Sequence, residues 1–179
     1  VLAPSDYNEA KKATIEMAKI NEPFYMRLPR IDSPVYTTPE TPFKIGKANV
    51  LTESKKPEVT IIAYGLMVYE ALLAYRELEK NGIETIVINM HTIKPLDIQA
   101  VLQSVAKTKC VVTAEEHMIN GGLGDSIAQV LIQNTLVPQE YVGVNDSFGE
   151  SGNPMELMTK YGIDTQNVVD AVLKVIQRK

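Results

Sequence analysis

The sequence holds one cysteine and two histidines, and no apolar run in it is long. Cys110 therefore has no partner for an internal disulfide. Set in the apolar run Cys110-Val111-Val112, it reads as a small packed hydrophobe. That usage fits a reducing compartment, so a cytoplasmic location is expected. Of the two histidines, His91 has no second ligand at metal-binding spacing, which argues against a zinc-type centre. No stretch approaches the roughly 18 to 20 apolar residues needed to span a bilayer, and no signal peptide opens the sequence. A soluble, non-secreted protein without membrane contact is expected. Also missing is a basic field: 18 Lys and Arg against 22 Asp and Glu give a formal net charge of -4, with the cations scattered. Nothing there would neutralise a polyphosphate backbone, so nucleic-acid binding is not expected.

What is present is ordinary globular composition, 45% hydrophobic and 22% charged over 179 residues. That length suits one well-buried domain with a remainder, or two small ones. Val1-Leu2-Ala3 reads as the end of a strand already under way, and the start as a cut. After Pro4, Ser5 can cap a helix over residues 6–20 whose buried face carries Ala10, Ala13, Met17 and Ile20. Pro23 stops it, and residues 24–28 have the content of a short strand ending at Pro29. Four prolines (29, 34, 39 and 42) then make residues 29–42 a stiff connector.

Beyond the connector a strand is expected over residues 43–51 and a buried one at Val59-Thr60-Ile61-Ile62-Ala63. A helix with Val68, Ala71, Leu72, Tyr75 and Leu78 inward closes at Asn81-Gly82. A strand over 85–89 follows, then a helix capped by Asp97, a strand over 109–113, and a helix with Ile127, Val130 and Leu131 inward. The pattern ends with a strand over 141–144, a short helix capped by Asn153 with Pro154 at its first position, and a last helix capped by Asp164. This alternation predicts an α/β fold: a three-layer, mainly parallel sheet with helices on both faces, preceded by a fragment of a second α/β domain.

Three features could carry chemistry. Glu115-Glu116-His117 falls at the carboxyl end of a predicted strand, where open parallel sheets place ligands; the group suits acid and base steps, or plain capping and interface roles. Glycines 121, 122 and 124 precede a helix whose free amides could hold a phosphate. They lack the dinucleotide fingerprint and the Lys-Ser or Lys-Thr of a phosphate-binding loop, so a tight turn and close packing is the plainer account. Arg27 and Arg30 flank Pro29 where a strand gives way to the connector, a position suited to clamping a phosphate or carboxylate and equally open to surface pairing. Ser151, Lys94 and the tyrosines show no triad spacing.

Four segments together resemble one family: Met26-Arg27-Leu28-Pro29-Arg30; Thr92-Ile93-Lys94-Pro95-Leu96-Asp97; Ala114-Glu115-Glu116-His117 with Gly121-Gly122-Leu123-Gly124; and Phe148-Gly149-Glu150-Ser151-Gly152-Asn153-Pro154. In order and spacing the chain is similar to the C-terminal portion of transketolase. The resemblance implies that residues 1–36 are the tail of the pyrimidine-binding domain and the start of a linker, and residues 37–179 the transketolase C-terminal domain, with a role in dimer contacts or regulation. It implies two-carbon transfer from a ketose phosphate to an aldose phosphate with thiamine diphosphate and Mg²⁺ in the complete enzyme. No cofactor is expected to bind this chain alone, because the Gly-Asp-Gly motif and the activating glutamate belong to missing upstream domains or a separate subunit. It also implies that Arg30 binds the substrate phosphate, with Arg27 a weaker second contact. Neighbouring readings are 1-deoxyxylulose-5-phosphate synthase, to which residues 27–30 have some likeness, a 2-oxo-acid dehydrogenase beta subunit, and a non-catalytic dimerisation or regulatory module.

Overall fold

Buried β-branched runs, each followed by an amphipathic helix, set the architecture. A computed structural model describes residues 1–179. Its elements in chain order are α1 (Tyr7–Met17), β1 (Asn49–Val50), β2 (Val59–Ala63), α2 (Met67–Lys80), β3 (Thr85–Asn89), α3 (Ile98–Thr108), β4 (Val111–Met118), α4 (Leu123–Asn134), β5 (Gln139–Val144), α5 (Pro154–Lys160) and α6 (Thr165–Ile176). The sheet runs β1-β3-β2-β4-β5, parallel throughout except for β1, which pairs antiparallel with β3. Every residue of β2 and β3 is buried, as strands covered on both faces require. One face packs against α2, α5 and α6 through Val68, Ala71, Leu78, Met158, Val168 and Val172. The other packs against α3 and α4 through Val101, Val105, Ile127 and Leu131. The three-layer expectation holds.

Three of the predicted N-caps form. Asp97 accepts from the Ala100 amide at 3.2 Å, Asn153 from Met155 at 3.0 Å and Asp164 from Asn167 at 3.1 Å. Gly82 and Gly162 follow α2 and α5 with φ of 78° and 68°, the left-handed geometry that releases a chain from a helix. Asp164→Ala is expected to lower stability by about 1 kcal/mol in urea denaturation, the usual value of such a cap, with the slope of the transition unchanged.

Residues 1–48 differ most from expectation. The strand over 43–51 shrinks to Asn49–Val50, and the strand over 24–28 to a single bridge, Met26 with Leu2. Pro42 and the positive φ of Gly46 (81°) break up the first, and the second finds no neighbour beyond Leu2. The helix stops at Met17 rather than reaching Ile20, which is exposed. Its N-cap is Asp6, not Ser5. Asp6 accepts from the Glu9 amide at 3.0 Å, while Glu9 reaches back to the Ser5 amide at 2.8 Å and hydroxyl at 2.7 Å.

This segment is nevertheless attached to the sheet. Leu2 bridges to both Met26 and Thr92, and the Ala3 amide donates to the His91 carbonyl at 2.8 Å. Glu9, fully buried, accepts from the Asn89 side chain at the carboxyl end of β3 at 2.9 and 3.0 Å. Asp6 also accepts from the Thr37 amide at 2.7 Å, which folds the connector back over α1. His91 sits beneath, stacked on Phe43 with ring centroids 4.3 Å apart and held against the charged state by burial.

Candidate functional site

Strand order decides where a ligand site belongs. From β2 the chain moves outward to β3; from β3 it crosses back past β2 to β4 and continues outward to β5. The connections part company between β2 and β4, so the crevice lies at the carboxyl ends of those two strands. A cleft of about 800 Å³ opens there. Leu66 from the start of α2, Glu116 from β4 and Val144 from β5 line it, with Ser151 and Tyr161 from the α5 region and Arg30 from the connector.

β4 is longer than expected and carries Glu115, Glu116 and His117 within its last turns of pleat, where successive side chains part to opposite faces. Glu115 turns inward. Its carboxylate accepts from the Leu123 amide at 2.8 Å and the Gly124 amide at 2.9 Å, and the Tyr64 hydroxyl donates to it at 3.5 Å. The glycine run is thereby accounted for. The amides at the start of α4 are satisfied by a carboxylate from this chain, while Gly122, the N-cap residue, has no side chain to offer. A Cβ on Gly122 would meet the Glu115 carboxyl carbon at 2.6 Å, and one on Gly124 would meet the Tyr141 ring at 2.7 Å. These glycines make room for Glu115 and for close helix-to-strand packing.

Burial pushes the Glu115 carboxyl above the usual carboxylate range, against the opposing pull of the two amides. Burial and the same carboxylate push the Tyr64 hydroxyl upward as well. Glu116 points the other way and lines the cleft. His117 is exposed, its Nδ1 paired with the Met118 carbonyl at 2.7 Å. No three of His, Cys, Asp or Glu converge in a group able to hold a metal.

The two arginines separate. Arg27 donates through Nη2 to the Glu116 carbonyl at 2.8 Å and stands 3.7 Å from the Glu116 carboxylate. Arg30 is exposed at the cleft and forms no ion pair or hydrogen bond. A planar guanidinium without a partner, beside a roomy crevice, is suited to a tetrahedral oxyanion or a carboxylate. Tyr64 and Leu66 had no local signal. Only the strand order, which makes the end of β2 one wall of the switch point, marks them.

Fold and cleft together define a doubly wound α/β unit with a crevice at its switch point, lined by Arg30 and by the carboxylates Glu116 and Glu150. The transketolase C-terminal domain family matches residues 46–168. A 6-deoxy-6-sulfo-D-fructose transketolase subunit of Clostridium sp. (strain MSTE9) is 41% identical over 179 residues, covering 100% of this chain and 55% of that protein. A subunit of the apulose-4-phosphate transketolase of Phocaeicola vulgatus is 32% identical over 179 residues, covering 99% and 56%. A solved split-gene transketolase, described as an inactive beta4 tetramer, superposes with a TM-score of 0.93 at 40% identity, covering 98% of this chain and 57% of that one. The chain belongs to the transketolase family, and it spans little more than half the length of these relatives.

Proposed function

We propose that this chain is the C-terminal part of a thiamine-diphosphate-dependent transketolase. The enzyme moves a two-carbon ketol unit from a ketose phosphate to an aldose phosphate, and this chain works only beside the segment or subunit that carries the cofactor-binding region. The observation that carries the reading is likeness over the whole chain to transketolase subunits roughly twice its length. No helix here is long and apolar enough to cross a membrane, and the lone cysteine supports a cytoplasmic place.

The glycine-rich start of α4 does not fit the cofactor's diphosphate, because the Leu123 and Gly124 amides it would use are held by Glu115. Thiamine diphosphate would supply the electron sink for carbon-carbon cleavage from the partner's side. In this reading residues 1–36 are the tail of the pyrimidine-binding domain and residues 37–179 the C-terminal domain. Tyr7, Leu28 and Val35, exposed side chains that line one groove of this segment, would be covered by the partner.

What this chain supplies to the substrate is Arg30, which binds its anionic end. In the enzyme reconstituted with its partner, Arg30→Ala is expected to raise KM for fructose 6-phosphate roughly tenfold to a hundredfold while KM for fructose moves less than about twofold. An equal effect on both donors would remove the assigned role. Turnover with pyruvate in place of a ketose would move the enzyme toward the synthase or dehydrogenase branch.

A second reading, a non-catalytic assembly module, is favoured by the description of the solved relative as an inactive beta4 tetramer. It expects the isolated chain to self-associate in sedimentation and to give no calorimetric heat with thiamine diphosphate. Ketol transfer by the isolated chain would exclude it.

A further inference from the structure

We infer that Arg27 is the positioning residue for Arg30: it ties the chain to the end of β4 at the point from which Arg30 enters the cleft, and it does not itself contact substrate. The inference rests on the phosphate role proposed for Arg30.

The chain between the two arginines has few other holds. The Arg27 amide donates to the Leu2 carbonyl at 2.8 Å and its guanidinium to the Glu116 carbonyl at 2.8 Å. The next hydrogen bond along the backbone is made by the Tyr36 amide, to Asp6 at 3.1 Å. Residues 28–35 make none, and Leu28 and Val35 are exposed. Arg30 lies in this unbonded span. What fixes it is Arg27 on one side and Ile31, packed against the core, on the other.

Pro29 makes the hold at Arg27 effective. Its ring fixes its own φ and keeps residue 28 extended, so a displacement at Arg27 carries through to Arg30 with little slack. Glu116 is the shared reference point: its carbonyl receives Arg27 and its side chain lines the cleft with Arg30. The Arg27 guanidinium also stands beside the Glu116 carboxylate and offsets a negative charge that faces the anion site. Both side chains are about a third exposed, at 35% and 34%, so this electrostatic share is the smaller one. One donor nitrogen of Arg27, Nη2, is committed to the Glu116 carbonyl, and Arg27 is not among the residues that line the cleft.

The test is steady-state kinetics on the reconstituted enzyme with fructose 6-phosphate and fructose as donors, for Arg27→Ala, Arg30→Ala and the double variant. Arg27→Ala is expected to raise KM for fructose 6-phosphate about fivefold to tenfold, with kcat and the KM for fructose within about twofold. The double variant should match Arg30→Ala alone, because a residue that acts through Arg30 has nothing left to position.

Multiplying effects in the double variant would mean that Arg27 touches the phosphate itself, and would overturn the inference. So would an equal KM rise on both donors, or a fall in kcat, since either marks a general structural role. A silent Arg27→Ala beside a selective Arg30→Ala would sink the positioning role and leave the phosphate reading standing. A silent Arg30→Ala would remove that reading and this inference with it. Should Arg27→Ala fail to fold, Arg27→Lys retains the charge and one donor, and its double variant with Arg30→Ala carries the same comparison.

Discussion

Glu115→Ala is expected to lower the free energy of unfolding by about 2 to 4 kcal/mol, measured by urea denaturation at neutral pH. The side chain is 1% exposed, and its loss orphans the Leu123 and Gly124 amides at the buried start of α4. No neighbouring residue can replace it, because the N-cap is Gly122. The size of the effect comes from stranded donors rather than from lost apolar area. Glu115→Gln separates the two contributions. Its amide accepts from one backbone N–H and presents a donor to the other.

The pH dependence of that pair has a definite sign. Burial raises the Glu115 carboxyl in the folded state, so the folded protein binds its proton more tightly than the unfolded chain does. Stability from this group is therefore complete below the unfolded carboxylate range and is lost as pH rises through the raised folded value. Glutamine does not titrate. The stability gap between wild type and Glu115→Gln should move in favour of glutamine as pH rises from the unfolded carboxylate range, about pH 4, through the raised folded value. A gap moving the other way would mean that the two amides outweigh burial at this carboxylate.

Glu9→Ala should cost about as much, roughly 2 to 4 kcal/mol, but its effect should be local first. Glu9 is 2% exposed and accepts from the Ser5 amide, the Ser5 hydroxyl and the Asn89 side chain. Removing it strands those donors and cuts the buried polar tie between α1 and β3. Trypsin should then cleave at Lys11, Lys12 and Lys19 at concentrations that leave wild type whole, before the sheet unfolds. Cleavage that appears only together with global unfolding would show that residues 1–37 and the sheet open as one unit.

The helices after the connector, their N-caps at Asp97, Asn153 and Asp164, and the buried strands were legible because each is written in neighbouring residues, whereas the cap and end of α1 were not. Asp97, Asn153 and Asp164 accept from amides two or three positions on, and Val168, Val172 and Val175 recur at helical spacing. The partners that decide the site are not neighbours. Arg27 finds Glu116 across 89 positions, Glu9 finds Asn89 across 80, and Glu115 satisfies α4 across a turn of eight or nine. Local spacing therefore left the glycine run open between an anion site and a packing role. The tertiary position of one buried carboxylate closed that question. The strand expected over residues 43–51 failed for a related reason: its composition suited a strand, but only Asn49 and Val50 reach β3.

The unbonded span from 28 to 35 also bears on how such an enzyme can diverge. Apart from Ile31, which packs against the core, mutations there meet little resistance from the fold of this chain, since no ladder, cap or buried polar group depends on those backbone atoms. If Arg30 reads the end of the sugar as proposed, its neighbours other than Ile31 could be altered in charge and size while the sheet and its helices stay unchanged. Acceptance of a new anionic tail would then be reachable by small steps on one short exposed stretch, with thermal stability left almost untouched along the way.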